Sequence, residues 1–232
     1  MMRARCWRRI GSSLLLAGSL LLGAGAPLHA APCADLRAEV LYQDMKRQAK
    51  PCGMAQRSDG MARLDVRLGK AGDFVLLADM EAKTLRVFSQ RLKAYVEFPI
   101  IGDPHDWRDI VKSASTAVMP QTLGMVSIEE KSREVLGHGS FQGYRAEKNR
   151  SVFELGFMGS LRRVTLLSWD SDELAPFPLK VQVVPSQDTR EGIAWLSDIV
   201  SECSPEQVFM LPEGATRYTS IMDLLLYALT AF

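Results

Sequence analysis

Residues 61–98 read MARLDVRLGKAGDFVLLADMEAKTLRVFSQRLKAYVEF. Residues 61–68 alternate, with Leu64, Val66 and Leu68 on one face and Arg63, Asp65 and Arg67 on the other. That period of two marks a half-buried strand. Gly69-Lys70-Ala71-Gly72 breaks it, and residues 74–79 then run apolar on both faces. Met80-Glu81-Ala82-Lys83 turns the chain, residues 85–88 run back, and residues 94–98 follow after Gln90-Arg91-Leu92-Lys93. Four strands at this spacing describe an antiparallel meander, with no room for the crossover helices of a parallel sheet.

The pattern extends both ways. Residues 36–46 suit either a helix, through Leu36, Val40, Leu41 and Met45, or a strand, through Ala38, Val40 and Tyr42. The continuation through residues 54–56 to Ser58-Asp59-Gly60 favours a hairpin. After Phe98 the meander stops at Pro99, Gly102 and Pro104, and Asp106 is placed to cap a helix carrying Trp107, Ile110, Val111 and Ala114 along one side. The connection over residues 100–131 is long for a compact domain, as lids and binding segments often are. Strands resume over residues 135–141 and 144–148 about Gln142-Gly143, then over 151–157, 162–169, 178–184 and 193–203, about eleven in all. Residues 170–173, Asp-Ser-Asp-Glu, read as a solvated turn.

Arg3, Arg5, Arg8 and Arg9 precede an apolar run through Leu22, and Leu28-His29-Ala30 supplies a small residue before a cut. Residues 1–30 read as a signal peptide, which places the mature domain, residues 31–232, in the periplasm. Pro32 directly before Cys33 does not fit a lipidation site. Removing the leader takes away four arginines and no acids, so the formal net charge falls from +1 to −3. Such a balance does not suit a nucleic-acid partner. Cys33, Cys52 and Cys203 then enter an oxidising compartment. Cys203 is expected to pair with Cys33 or Cys52, and the residues leave the choice between them open.

Residues 219–232 read as a helix, with Ser220 capping and Ile221, Leu224, Leu225, Ala228 and Leu229 forming an apolar stripe. It is too short to cross a bilayer. It is expected to serve as a lid or core helix, with a membrane-surface contact through Ile221, Leu224 and Leu225 as the alternative.

Most histidine-based catalytic and metal schemes lack their parts, because the mature chain has only His105 and His138. There is no nucleophile-elbow serine, phosphate-binding glycine loop or cysteine pair at metal spacing. His138, in Gly137-His138-Gly139-Ser140, reads as a strand position. The expectation is a protein that binds rather than catalyses, without a cofactor.

Ser58-Asp59-Gly60-Met61-Ala62-Arg63-Leu64-Asp65-Val66 and Arg91-Leu92-Lys93-Ala94-Tyr95-Val96-Glu97-Phe98-Pro99 resemble the repeated strands of the LolA/LolB-like periplasmic lipoprotein-carrier superfamily. Residues 137–144, the Phe177-Pro178-Leu179-Lys180-Val181 segment and the closing Val208-Phe209-Met210-Leu211-Pro212-Glu213-Gly214 resemble further parts of it. The resemblance implies a mainly β fold: one antiparallel sheet curled into an incomplete barrel, covered by helical segments, whose apolar cavity takes acyl chains of lipids or lipoproteins. The carriers' characteristic arginine has no matching position in these segments, and the apolar tail is an extension.

Strands apolar on both faces need cover inside and outside, which points independently to tight packing or to an apolar guest. The residues expected to line such a cavity are Leu76, Phe88, Val96, Phe98, Trp107, Leu166, Val181 and Trp195. The competing expectation is an envelope interaction or stress-sensing module that docks another protein through a sheet edge or the tail helix.

Overall fold

The computed structural model describes residues 35–44, 47–67, 72–118, 126–157, 160–187 and 189–220. The leader read at residues 1–30 lies outside them, as do residues 221–232 of the helix read over 219–232. The described chain is mainly β. Its strands are β1 (Leu36–Asp44), β2 (Lys50–Ser58), β3 (Met61–Arg67), β4 (Asp73–Asp79), β5 (Thr84–Ser89) and β6 (Ala94–Pro99), then β7 (Val126–Phe141), β8 (Tyr144–Phe157), β9 (Ser160–Asp170), β10 (Lys180–Val184), β11 (Gly192–Val200) and β12 (Thr216–Arg217). One α-helix, α1 (Trp107–Val118), separates β6 from β7.

All twelve strands join one sheet in the order β12-β6-β5-β4-β3-β2-β1-β11-β10-β9-β8-β7. Every pairing is antiparallel except that of β12 with β6. The two hairpin turns legible in the sequence form as expected. Asp59 and Gly60 have φ of 40° and 75°, and Gln142 and Gly143 have 50° and 86°. Two central residues with positive φ match the twist of the flanking strands, and glycine takes that conformation without strain. The longer turns are held by side chains: Asp79 Oδ1 accepts from the Ala82 amide at 2.8 Å.

The apolar-on-both-faces strand is covered twice. On one face Ala62, Ala78, Met80, Leu85 and Ile100 pack with Ile110 and Ala114 of α1. On the other, Val75, Leu77 and Phe88 pack with Leu211 and Ala215. The segment that supplies this outer cover is tied down by Arg63 donating to the Val208 carbonyl and by β12 joining β6, where Thr216 N donates to Lys93 O.

Several expectations are corrected. The sheet has twelve strands rather than about eleven and is not strongly curled into the expected incomplete barrel, with β12 and β7 at its edges. Among the described residues there is one α-helix, not several lid helices. The long connection ends at Val126, where β7 begins, and the two strands expected on either side of Asn149-Arg150 are one, β8. Hydrophobic periodicity misses β7 because much of its pairing is charged. Lys131 meets Glu154 at 3.4 Å and Glu134 meets Arg150 at 3.3 Å, each across the β7–β8 ladder.

Candidate functional site

Strand residues directly opposite one another share a face of the sheet. Leu64, Leu76, Val87 and Val96 are opposite in successive pairs, so they present one continuous apolar row to the face on which α1 lies. Asp106 begins the helix: its Oδ1 accepts from the Arg108 amide at 2.9 Å, satisfying an otherwise unpaired first-turn donor. Ser113 Oγ accepts from the Ile101 amide at 2.7 Å and fastens the incoming chain to the helix.

Between α1 and the row lies an apolar pocket of about 200 Å³. Its floor is Ala62, Leu64, Leu76, Ala78 and Leu85, its roof Trp107, Ile110 and Val111, and its side wall Pro176, Phe177 and Pro178. Alanines at 62 and 78, opposite each other in the β3–β4 ladder, leave the space beneath the helix.

Beside it, about the first turn of α1, is a polar network. Arg108 is 5% exposed, and its guanidinium donates to Asp106, Asp170, Ser151 and Ser168. Trp107 Nε1 donates to Asp170 Oδ1 at 3.0 Å, and Asn149 Nδ2 donates to Asp170 and Glu147, each at 3.0 Å. Arg133 forks onto Glu130 and reaches Asp106 at 2.8 Å. Burial by itself raises the Asp106 carboxyl, but the Arg108 amide and the Arg108 and Arg133 charges outweigh it and hold the group below its ordinary value. Glu130 is likewise opposed by burial and held low by hydrogen bonds from Arg133 and Ser151. The hydrogen bond with Glu130 pushes Arg133 upward. Around this network a second cavity, of about 280 Å³, shares Trp107, Pro176, Phe177 and Pro178 with the apolar one.

Of the eight residues expected in the cavity, Leu76 and Trp107 line the apolar pocket. Val96 and Phe98 belong to clusters that share Leu76 with it. Leu166 and Val181 lie farther along, in register with Ser151 and Ser168 of the polar network. Phe88 packs with Val75 and Leu77 on the opposite face, where it lines a separate cleft with Met210 and Pro212. Trp195 is opposite Lys180, which is opposite Trp169, out of step with the Val181 row. Sequence reading missed Ala62, Ala78 and residues 176–178, whose small size and loop position carry no periodic signal. It also missed Arg108 and Asp170. The run read as a solvated turn at residues 170–173 is instead anchored there, with Ser171 buried. His138 lies on β7 with its side chain 76% exposed, its Nδ1 3.9 Å from Glu147.

Cys52 is a free thiol, and burial raises its pKa. Cys203 is disulfide-bonded, so the pairing of Cys203 with Cys52 is excluded, and Cys33 lies outside the described residues. No helix among the described residues is long and apolar enough to cross a membrane.

No protein-family profile and no curated sequence matches this chain. In structure it is similar to LprF from Mycobacterium bovis, at 15% identity and a TM-score of 0.31, over 77% of this chain and 89% of that one. It is also similar to a DUF1329 family protein from Desulfovibrio piger, at 9% identity and a TM-score of 0.23, over 77% of this chain and 90% of the other. A third likeness is to a putative outer membrane lipoprotein-sorting protein domain from Vibrio parahaemolyticus, at 13% identity and a TM-score of 0.21, over 75% and 88%. These likenesses are distant, and function rests on the site's own residues.

Proposed function

We infer that this chain is a non-enzymatic, periplasmic binding protein for acyl chains of lipids or lipoproteins, acting from a single domain over residues 31–232 with an apolar site between its sheet and α1. One observation carries it: a pocket lined only by apolar residues lies between sheet and helix, where a packed core would leave no void. At about 200 Å³ it lies below the roughly 300–1,000 Å³ of drug-sized ligand sites, so it takes the end of a chain rather than a whole lipid. Each methylene buried there contributes about 0.8 kcal/mol. The sequence resemblance to lipoprotein carriers leads to the same class. A Cys33–Cys203 disulfide, which would tie the start of the domain to the strand β11 side, belongs to this reading.

Native mass spectrometry of gently purified protein, with titration of a fluorescent fatty acid, tests it. Co-purified lipid or saturable binding is expected, and Ala62→Leu, which fills the floor, is expected to abolish binding while the circular dichroism spectrum is retained. Absence of both lipid and binding would sink the reading.

A second reading, docking of an envelope protein, is favoured by β7. It is an edge strand of 16 residues with Val135 and Leu136 exposed, and such edges are templates for an added strand. The apolar stretch through Ile221, Leu224 and Leu225 is the other candidate for that contact or for a membrane surface. Truncation before Thr219 separates them: loss of a pulled-down partner with lipid binding intact assigns the tail to docking.

A further inference from the structure

The apolar pocket shares a wall with the polar cavity beside it. Trp107 and residues 176–178 separate it from the polar cavity around Arg108, and that cavity continues through Glu147, Asp170, Ser171 and Asp172 into a cleft of about 430 Å³ beside His138 and Arg145. These two polar spaces are therefore the ones adjoining the tail site beneath α1, where the head of an amphiphile bound there would lie. Their combined lining holds six carboxylates and three guanidiniums. Arg108 and Arg133 are already matched, by Asp106 with Asp170 and by Asp106 with Glu130. Neither Glu147 nor Asp172 meets a guanidinium or an ammonium among the described residues, so the site carries surplus negative charge.

A second observation specifies the donor. Asn149 is 3% exposed and lines the polar cavity, and its Oδ1 has no hydrogen-bond partner. The amide's orientation is set by its surroundings, because its Nδ2 donates to both Glu147 and Asp170, and a flip would turn an oxygen onto two carboxylates. The orphan is thus an acceptor that needs an N–H or O–H. Asn149 is one of the residues that line the polar cavity, so this orphan acceptor belongs to the cavity's wall.

We propose that the Asn149–Glu147–Asp172 end of this cavity is a head-group subsite for a primary ammonium, so that the cargo is an amphiphile with a cationic amine head. This rests on the acyl-binding reading and goes beyond it by naming the head. Glu147 and Asp172 supply the opposite charge, and Asn149 Oδ1 accepts an N–H, which a quaternary ammonium lacks.

Isothermal titration of the whole protein with dodecylammonium, dodecyltrimethylammonium, dodecanol and laurate, each kept monomeric, tests it, with a lysophosphatidylethanolamine as a zwitterionic arm. Dodecylammonium is expected to bind about tenfold more tightly than laurate, the equivalent of ~1.4 kcal/mol, and more tightly than the trimethyl analogue. Glu147→Gln with Asp172→Asn, both at solvent-reached positions, is expected to remove the preference over laurate and leave dodecanol unchanged. Asn149→Ala is expected to remove the preference for primary over quaternary ammonium; should it fail to fold, the carboxylate pair still decides. Equal binding of all four heads overturns the subsite while the acyl-binding reading survives. Binding of none overturns both. Binding of the lysolipid as well as dodecylammonium assigns the amine to a phospholipid head, and binding of dodecylammonium alone assigns it to a head without phosphate.

Discussion

The β3–β6 half of the sheet and the β7–β10 half present the same face to the same helix, and they hold it by opposite means. Under Ile110 and Ala114 the floor is Ala62, Ala78, Met80 and Leu85, and attachment is by apolar burial. Under Trp107 and Arg108 the floor is Ser151, Ser168, Asn149 and Asp170, and attachment is by hydrogen-bonded charge. The apolar half is covered on its outer face as well, whereas the other half leaves Leu161 68% exposed. A single short helix with Arg108 and Ile110 two residues apart thus sits on a boundary. The two cavities share a wall along that boundary, and the proposed cargo, with an apolar end and a polar one, follows from that placement.

The contrast breaks most sharply at Arg108. Arg108→Leu leaves Asp170 and Asp106 without their buried partner, and breaking such a pair costs about 3–5 kcal/mol. Urea denaturation should show a loss of that order, and an unchanged midpoint would refute the charged attachment. In the apolar half, Leu85→Ala removes a side chain 1% exposed and is expected to cost about 2–5 kcal/mol, while Leu161→Ala at the far end should stay within about 0.5 kcal/mol. Similar losses at the two leucines would mean that β9 is covered in solution.

Acid should act on the polar half through Asp106 and Glu130. Asp106 and Glu130 titrate lower in the fold than in the unfolded chain, whose values are about 3.9 and 4.3, so the unfolded chain binds protons first as pH falls. Their contribution is full above those unfolded values and is lost as pH drops through the lower folded ones. The melting temperature is expected to hold from neutral pH down to about 5 and then fall, less steeply in Asp106→Asn. A decline beginning near neutrality would point to other groups.

Residues 61–98 were legible because their strands alternate or run apolar between turn residues, and Asp59-Gly60 and Gln142-Gly143 name their own turn type. Helix α1 was legible from Asp106 and the spacing of Trp107, Ile110 and Ala114. The polar half was not. Asn149-Arg150 reads as a break in sequence, and residues 170–173 as a solvated turn, because polarity at a buried position has no signature until its partner is known. Arg108 and Asp170 are 62 residues apart. The pocket floor was hidden for a related reason: Ala62 and Ala78 matter for the volume they leave empty.

The sequence by itself determined the class of the fold, the local turns and the need for cover on both faces of β4, since these follow from backbone conformation and from periodicity over a few residues. Only the tertiary structure decided which face carries the pocket, that residues 206–215 rather than a guest cover the outer face, and that the charged residues beside α1 form one network. Those outcomes depend on contacts between distant segments, where a side chain's role is set by what the fold brings opposite it.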